Sequence, residues 1–261
     1  MTMLSGRTVV VTGGGKGLGL ASATELGRAG ANVVITGRDA AALDTATARL
    51  RSEGAAVASY VADATEPGAM AEVLRRAEVV FGPVDTLVNN AGQPGPVGPT
   101  WEVDQDAWWR TMEVNVRGTM LACAEALEVM VPRGAGRIIN IASHAGVFRW
   151  PFVTGYSVSK AAVVKLTENL AVELRRHRIP VLSYHPGLLE IGLTGNTPKD
   201  STDTWTRYLA SWIDGEREAG RMTPTDKATG MLVRLVAGEA DSLSGRYITV
   251  DDDLAELLKS G

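Results

Sequence analysis

The sequence predicts an α/β protein: one doubly wound parallel sheet of about seven strands, with helices on both faces, in a single domain over residues 1–261. Three observations predict it. Apolar runs alternate with amphipathic stretches along the chain. The links between them are short, which suits a parallel sheet covered on both sides. No internal repeat or linker interrupts the alternation, and right-handed crossovers then wind it into one body.

A β-branched run at 8–11 opens the pattern, followed by glycines and a helical period that lasts to Ala29. Residues 32–36 repeat the strand signal, and 40–51 read as an Ala-rich helix. A third strand is expected at 57–61, a third helix at 69–80 and a fourth strand at 85–88. A Pro/Gly-rich loop at 92–99 leads into a long helix from about Asp104 to Met130. Residues 136–141 form the fifth strand, 155–177 the fifth helix, 179–184 the sixth strand and 246–250 the seventh. Residues 187–223 lack a clean period until about 201–217. A long segment after the C-terminal end of a strand is usually a binding loop, so 187–223 is read as a substrate lid.

Composition narrows the function. With 26 Lys+Arg against 30 Asp+Glu, the formal net charge is −4, which argues against a nucleic-acid partner. Cys123 is the one cysteine, so no intrachain disulfide forms, and a reducing, cytoplasmic location is expected. No apolar run approaches the roughly 18 residues of a membrane span, so no membrane partner is expected. Residues 1–7 are too short and polar for a signal peptide. His144, His177 and His185 lack metal-ligand spacing, so no metal is expected.

The glycine loop Thr12-Gly-Gly-Gly-Lys-Gly-Leu-Gly19 lies between the first strand and the first helix. Gly13 permits a tight turn, and Gly17 and Gly19 let backbone N–H groups and the positive helix end approach a pyrophosphate. It is not a Walker loop, because Gly17 stands where Ser or Thr should follow Lys16. An acid ending the second strand would bind the ribose hydroxyl of NAD. That position reads Thr36-Gly37-Arg38 instead. Arg38 offers a planar fork to a 2′-phosphate and Lys16 a second positive charge, so NADP(H) is the expected cofactor. The plainer alternative is a pair of solvated cations.

Tyr156 and Lys160 are four apart on a helix and share a face. A free tyrosine has a pKa of about 10, and a nearby ammonium is expected to lower it. Ser143 lies just past the fifth strand, at the sheet edge where ligands bind. Its hydroxyl can donate to a substrate carbonyl while Tyr156 protonates it. A Tyr-x-x-x-Lys pair is weak by itself; its order after the glycine loop and the strand-end serine is what makes it specific.

These motifs resemble a short-chain dehydrogenase/reductase from Thr12 to about Val250, in the branch of NADP-preferring carbonyl reductases and 3-oxoacyl-carrier-protein reductases. Asn89-Asn90-Ala91-Gly92, Asn115, Tyr156-Ser-Val-Ser-Lys160 and Pro186-Gly187 carry the resemblance further. It implies a Rossmann-type domain with Asn115, Ser143, Tyr156 and Lys160 catalytic. Gly13, Gly15, Lys16, Gly17, Leu18 and Arg38 would hold the phosphate end of the cofactor, and Asp63 and Ala64 would border the adenine. Asn90, Ala91 and Gly92 would shape the cleft, Lys160 would bond the nicotinamide ribose, and Gly187 and Leu189 would line the nicotinamide. Asn115 would hold a water that links Lys160 to solvent. One departure is Ile191, where the family often has a threonine for the carboxamide; Thr194 follows three later. The C-terminal Val250-Asp-Asp-Asp253 also lacks the common Asp-Gly-Gly ending.

The expected activity is NADP(H)-dependent interconversion of a ketone and a secondary alcohol on a small-molecule substrate. A 3-oxoacyl-carrier-protein reductase, an oxidative alcohol dehydrogenase and a non-catalytic dinucleotide-binding regulator are the alternatives. His144, Trp150, Trp205 and Trp212 are the substrate candidates, with packing as the plainer role. Trp101, Trp108 and Trp109 are expected to pack at the start of the long helix. Arg175, Arg176 and Arg178 read as a solvated face or a carrier dock. The resemblance implies a homo-oligomer, a tetramer, built on the long helices through residues such as Val116, Met120, Val163 and Leu170.

Overall fold

The computed structural model describes residues 3–195, 197–198 and 200–259. Seven parallel strands form one sheet in the order β3-β2-β1-β4-β5-β6-β7. They are β1 (Thr8–Thr12), β2 (Asn32–Gly37), β3 (Val57–Val61), β4 (Val84–Asn89), β5 (Arg137–Ile141), β6 (Val181–His185) and β7 (Tyr247–Thr249). The expected doubly wound sheet is therefore present. The winding reverses between β1 and β4, and such a switch point opens a crevice beyond the strands' C-terminal ends.

Each central strand is buried on both faces. In β1, Val9 and Val11 pack into one apolar layer, and Val10 packs into the other with Val34 and Leu87. Burying a valine or leucine side chain contributes about 1.5–3 kcal/mol, so these runs fix the register wherever both faces are covered. The first layer also holds α1 (Gly17–Arg28) and α2 (Ala40–Ser52). The second holds α3 (Ala69–Phe81) and the helix that follows β4. At the far edge, the Thr8 N–H donates to Asp85 at 2.8 Å and ties β1 to β4.

The long helix between β4 and β5 is not uniform. It runs as α4 (Gln105–Met112), a π-helical turn at Glu113–Arg117 and α5 (Gly118–Arg133). Asp104 caps its start by accepting from the Ala107 N–H at 2.7 Å. The inserted residue of a π turn shifts the helical register, and such turns are frequent at functional sites. Here the turn carries Asn115, which is fully buried. α6 (Thr154–Glu173) ends earlier than its sequence period suggested, and a 3-10 turn at Arg175–His177 completes it.

Residues 187–223 contain the short α7 (Gly192–Gly195) and α8 (Thr204–Glu218). The Thr223 N–H donates to the Leu188 carbonyl at 2.7 Å, so the excursion closes where it began. Then comes a helix that the sequence reading did not mark, α9 (Thr225–Ala237). It buries Ala228, Met231, Leu232, Leu235 and Val236, and its Ala228 carbonyl accepts the buried Tyr184 hydroxyl at 2.7 Å. α10 (Leu254–Lys259) ends the described chain.

Two packing expectations change. Trp108 is half-buried and donates to Thr154 Oγ1 at 3.1 Å, but Trp101 and Trp109 are 83% and 63% exposed. Val163 is 1% exposed inside the chain's own core and is not free for a subunit contact. Besides Trp109, the exposed large apolar side chains on the long helices α4–α5 and α6 are Met120, Val158 and Val172.

Candidate active site

The crevice between the two windings is a cleft of about 1490 Å³. Its floor is the turn from β1 into α1. Gly13 and Gly17 hold positive φ of 66° and 55°. A Cβ on Gly19 would lie 2.2 Å from the Gly13 carbonyl and 2.5 Å from Asn90 Nδ2, so this close approach needs glycine. Thr12 Oγ1 accepts the N–H groups of Asn90 and Ala91, both at 3.0 Å, and Asn90 Nδ2 donates to the Thr12 carbonyl at 2.8 Å. These bonds tie the loops after β1 and β4 into one cradle. Gly15, Lys16, Leu18, Ala64 and Gly92 line it as well.

Beyond β2, Arg38 and Asp63 face each other at 3.9 Å, with the Arg38 side chain 66% exposed. Burial acts to raise the Asp63 carboxyl, but bonds from Thr65 and the charges of Arg38 and Arg110 hold it below its usual range. Lys16 is exposed on the same side. Two cations and no second-strand acid therefore border the end of the cleft where the adenosine half of a dinucleotide would lie.

The catalytic candidates meet at the opposite end, on β5 and α6. Ser143 is buried after β5, and its Oγ also accepts the Ala145 N–H at 3.2 Å. The Tyr156 and Ser143 hydroxyls hydrogen-bond. Lys160 Nζ lies 5.8 Å from the Tyr156 ring centre and donates to the Ile141 carbonyl at 2.7 Å. Gly146 lets the loop after Ser143 press on α6, because a Cβ there would sit 2.5 Å from the Lys160 carbonyl carbon. Asn115 Nδ2 donates to Ser159 Oγ at 2.9 Å and to the Gln93 carbonyl at 3.0 Å, while its Oδ1 accepts the Gln93 N–H at 2.8 Å. A Cβ on Gly92 would lie 3.2 Å from Asn115 Oδ1 and 3.8 Å from Lys160 Nζ, so all four catalytic candidates and the cofactor loop share one neighbourhood.

The electrostatics differ from the sequence expectation. Burial raises the Tyr156 phenol above its ordinary value, with only the Ser143 bond opposing. Burial also lowers Lys160, to about 8. The ammonium is spent on the Ile141 carbonyl, so the expected depression of the phenol is absent from this arrangement. Tyr156 is here held in its acid form.

Pro186-Gly187 and Leu189 line the cleft next to β6. Gly187 has a φ of 86°, and a Cβ there would collide with Thr223 Oγ1 at 2.0 Å. Ile191 is half-buried against the core, and Thr194 lines the cleft from α7. α7 rests on the glycine loop: a Cβ on Gly17 would meet Gly192 Cα at 2.9 Å.

The aromatic candidates divide. Trp150 and Trp212 line the cleft and meet edge to face at 4.9 Å. His144 lines it too, exposed beside Ser143. Trp205 does not line it: its ring stacks on Phe152 at 4.6 Å, and its Nε1 donates to Glu102 at 3.1 Å. Phe152 itself holds a φ of 66°, a costly conformation for a bulky side chain. Arg175, Arg176 and Arg178 sit at the far end of α6, beside the start of β6 and away from the cleft. Gln93, Ser159, the Ile141 carbonyl and Thr12 Oγ1 were given no role from sequence; Thr12, opening the glycine loop, and Ser159, inside the Tyr156–Lys160 motif, left a signal there. Among the described residues, no group of three or more His, Cys, Asp or Glu could hold a metal ion, and no helix is long and apolar enough to cross a membrane.

Comparison with known proteins agrees with this fold. The short chain dehydrogenase family model matches residues 7–202. Gluconate 5-dehydrogenase of Gluconobacter oxydans is 31% identical over 248 residues, covering 95% of this chain and 94% of its own. Among solved structures, an actinorhodin polyketide ketoreductase with NADPH has a TM-score of 0.84 at 30% identity, covering 94% and 95% of the two chains. A levodione reductase has a TM-score of 0.87 at 26% identity, covering 95% and 97%.

Proposed function

The chain belongs to the short-chain dehydrogenase family, and on that premise we propose that it is an NADP(H)-dependent oxidoreductase that interconverts a ketone and a secondary alcohol. The observation that carries this reading is the meeting of Ser143, Tyr156, Lys160 and Asn115 at one end of a cleft whose other end is the glycine cradle. A purely dinucleotide-binding protein has no need of a buried acid beside a serine hydroxyl.

The cradle fits a dinucleotide: Gly13, Gly15 and Gly17 present it with bare backbone, and Lys16 and Arg38 border it. Gly13, Gly15, Gly17, Leu18 and the start of α1 would hold the phosphates, with Asp63 and Ala64 at the adenine and Asn90 to Gly92, Gly187 and Leu189 at the nicotinamide end. A bound nicotinamide dinucleotide supplies or accepts the hydride. Tyr156 gives the proton to the substrate oxygen in reduction and takes it in oxidation. Ser143 hydrogen-bonds the same oxygen and fixes its position. Lys160, held by Ile141, and a water held at Asn115, itself fixed by Gln93 and Ser159, bring a proton to Tyr156 after reduction and take it away in oxidation. NADPH oxidation over a panel of ketones tests the reading. Cofactor binding without turnover of any ketone or alcohol would instead favour a regulator.

Arg38→Ala is expected to raise the NADPH dissociation constant about tenfold or more while changing that for NADH little. A charge-assisted hydrogen bond is worth about 1.5–3 kcal/mol, and 1.4 kcal/mol is a factor of ten. Equal losses for the two cofactors would show that Arg38 does not read the 2′-phosphate.

We read residues 187–223 as a lid whose aromatic face closes over substrate and excludes water. Trp212→Ala is then expected to raise KM several-fold, or to change substrate preference, at constant NADPH affinity. Trp205→Ala, which touches Phe152 and Glu102 rather than the cleft, is expected to lower Tm instead. A Trp212 variant that loses stability with unchanged specificity would remove the lid reading.

We also propose a homotetramer, with Met120, Val158 and Val172 in its contacts, since two-fold interfaces are the default for closed assemblies. Light scattering at micromolar concentration is expected to give a tetramer mass, and a monomer mass would exclude it.

A further inference from the structure

Beside Ser143 and Tyr156 lies a group of polar rings that the proposed chemistry leaves unused. His144 is exposed to the cleft and lies against His185, the last residue of β6, with ring centres 4.0 Å apart. Tyr247, the first residue of β7, lies nearly parallel to His185 at 6.4 Å and stands 6.2 Å from His144. Strand pairing explains the grouping: Ser183 pairs with Tyr247 and His185 with Thr249, so His185 and Tyr247 emerge on the same face, two positions offset. His185 is 9% exposed and borders the cleft. Neither its Nδ1 nor the buried Tyr247 hydroxyl has a hydrogen-bond partner among the described residues. Folded chains rarely leave buried donors and acceptors unpaired, and His185, which carries one of the two, is at the cleft, where a ligand group could answer it.

We propose that His144 and His185, backed by Tyr247, form a subsite for a second, uncharged oxygen of the substrate close to the reacting carbonyl, so that hydroxyketones and vicinal diketones are preferred. The placement of the first oxygen, on Ser143 and Tyr156, rests on the reductase reading above.

The charge state of the group suits a neutral partner. Burial, and then the neighbouring His144, push His185 down to about 3 against the pull of Asp251. Burial likewise lowers His144 against Asp251 and Asp252. Burial raises the Tyr247 phenol, helped by Asp252 and Tyr156. At neutral pH all three rings are therefore uncharged, and the imidazoles and the phenol each offer a donor and an acceptor. Lys227 and Asp251 close on each other at 2.5 Å, and Asp252 accepts the Thr249 N–H at 2.6 Å. A hydroxyl or carbonyl can use such a group, whereas a carboxylate would find no uncommitted cation in it and would face Asp252. His144 directly follows Ser143, which sets the group next to the proposed site of the first oxygen, and Tyr247 is within electrostatic reach of Tyr156. Trp150 and Trp212 line another part of the same cleft, so the fitting substrate is oxygenated at its reacting end and apolar beyond it.

Benzoin and deoxybenzoin, which differ by one hydroxyl, separate the possibilities. Equilibrium dialysis of the full-length protein with NADP⁺ present gives their dissociation constants. Benzoin is expected to bind about tenfold more tightly, and Tyr247→Phe and His144→Phe each to remove most of that preference. Both variants keep a ring for the stack; should Tyr247→Phe fail to fold, the exposed His144→Phe decides. Equal affinities in the unaltered protein, or an unchanged ratio in the folded variants, would overturn the subsite. Because dialysis reads binding, a retained benzoin preference without turnover would overturn the reductase reading and leave the subsite standing.

Discussion

Tyr156→Phe is expected to leave the protein folded and able to bind NADPH while cutting ketone turnover by about 10²–10⁴-fold, the usual worth of a positioned acid or base. The ring stays, so its packing against Lys160 is kept, and the loss is confined to the hydroxyl that bonds Ser143. Burial already holds that hydroxyl protonated, so reduction needs no prior proton uptake by the tyrosine. Thermal melts and NADPH titrations establish that the variant is intact, and initial rates with ketone measure the loss. Near-normal rates in an intact variant would remove Tyr156 from the chemistry.

Lys160→Met is expected to abolish turnover and yet stabilise the fold. Lys160 is 5% exposed, and burial brings its pKa from 10.5 to about 8. At neutral pH the folded chain holds an ammonium against a penalty of about 3 kcal/mol, at 1.36 kcal/mol per pKa unit. Methionine fills similar volume without that penalty, and loses a charge-assisted bond to the Ile141 carbonyl worth about 1.5–3 kcal/mol. The burial penalty is the larger, so a small net gain, up to about 1.5 kcal/mol, is expected in urea melts at pH 7. Between about 8 and 10.5 the unfolded chain keeps the proton that the folded chain has released. The natural protein therefore gains stability as pH rises through that window, and the advantage of the variant fades. A destabilised variant, or an advantage independent of pH, would show that the lysine is not strained by burial. Gain in stability with loss of function is the mark of a side chain kept for chemistry.

What the sequence made legible was local. The glycine spacing from Gly13 to Gly19 and the Tyr156–Lys160 interval lie within single turns or helices, where periodicity fixes geometry. The central strands were legible because they are buried on both faces. Asn115 could be named only by resemblance, since its π turn inserts a residue that no hydrophobic period reveals. α9 was overlooked although Ala228, Met231, Leu232, Leu235 and Val236 keep helical spacing; Gly230 breaks the run at its centre. The separate fates of Trp205 and Trp212 depend on which neighbour each meets across the fold, Phe152 or Trp150. The lysine's effect on the tyrosine was misjudged because a four-residue spacing says nothing of a third partner, and the Ile141 carbonyl comes from another element. His185 and Tyr247 become neighbours only through β6–β7 pairing.

The bond from the Thr223 N–H to the Leu188 carbonyl makes the intervening segment a detachable cassette. Its two ends leave and rejoin the scaffold at one point, and Gly187 seats that junction by clearing room for Thr223. Closing a longer excursion costs little, about 0.6 kcal/mol for each doubling of length. Evolution, or a protein engineer, can therefore lengthen, shorten or exchange the stretch with only a small entropic cost, while β5, α6 and their reactive groups keep their register. If that stretch is the substrate lid, part of the selectivity can change in this way without re-evolving the proton donor.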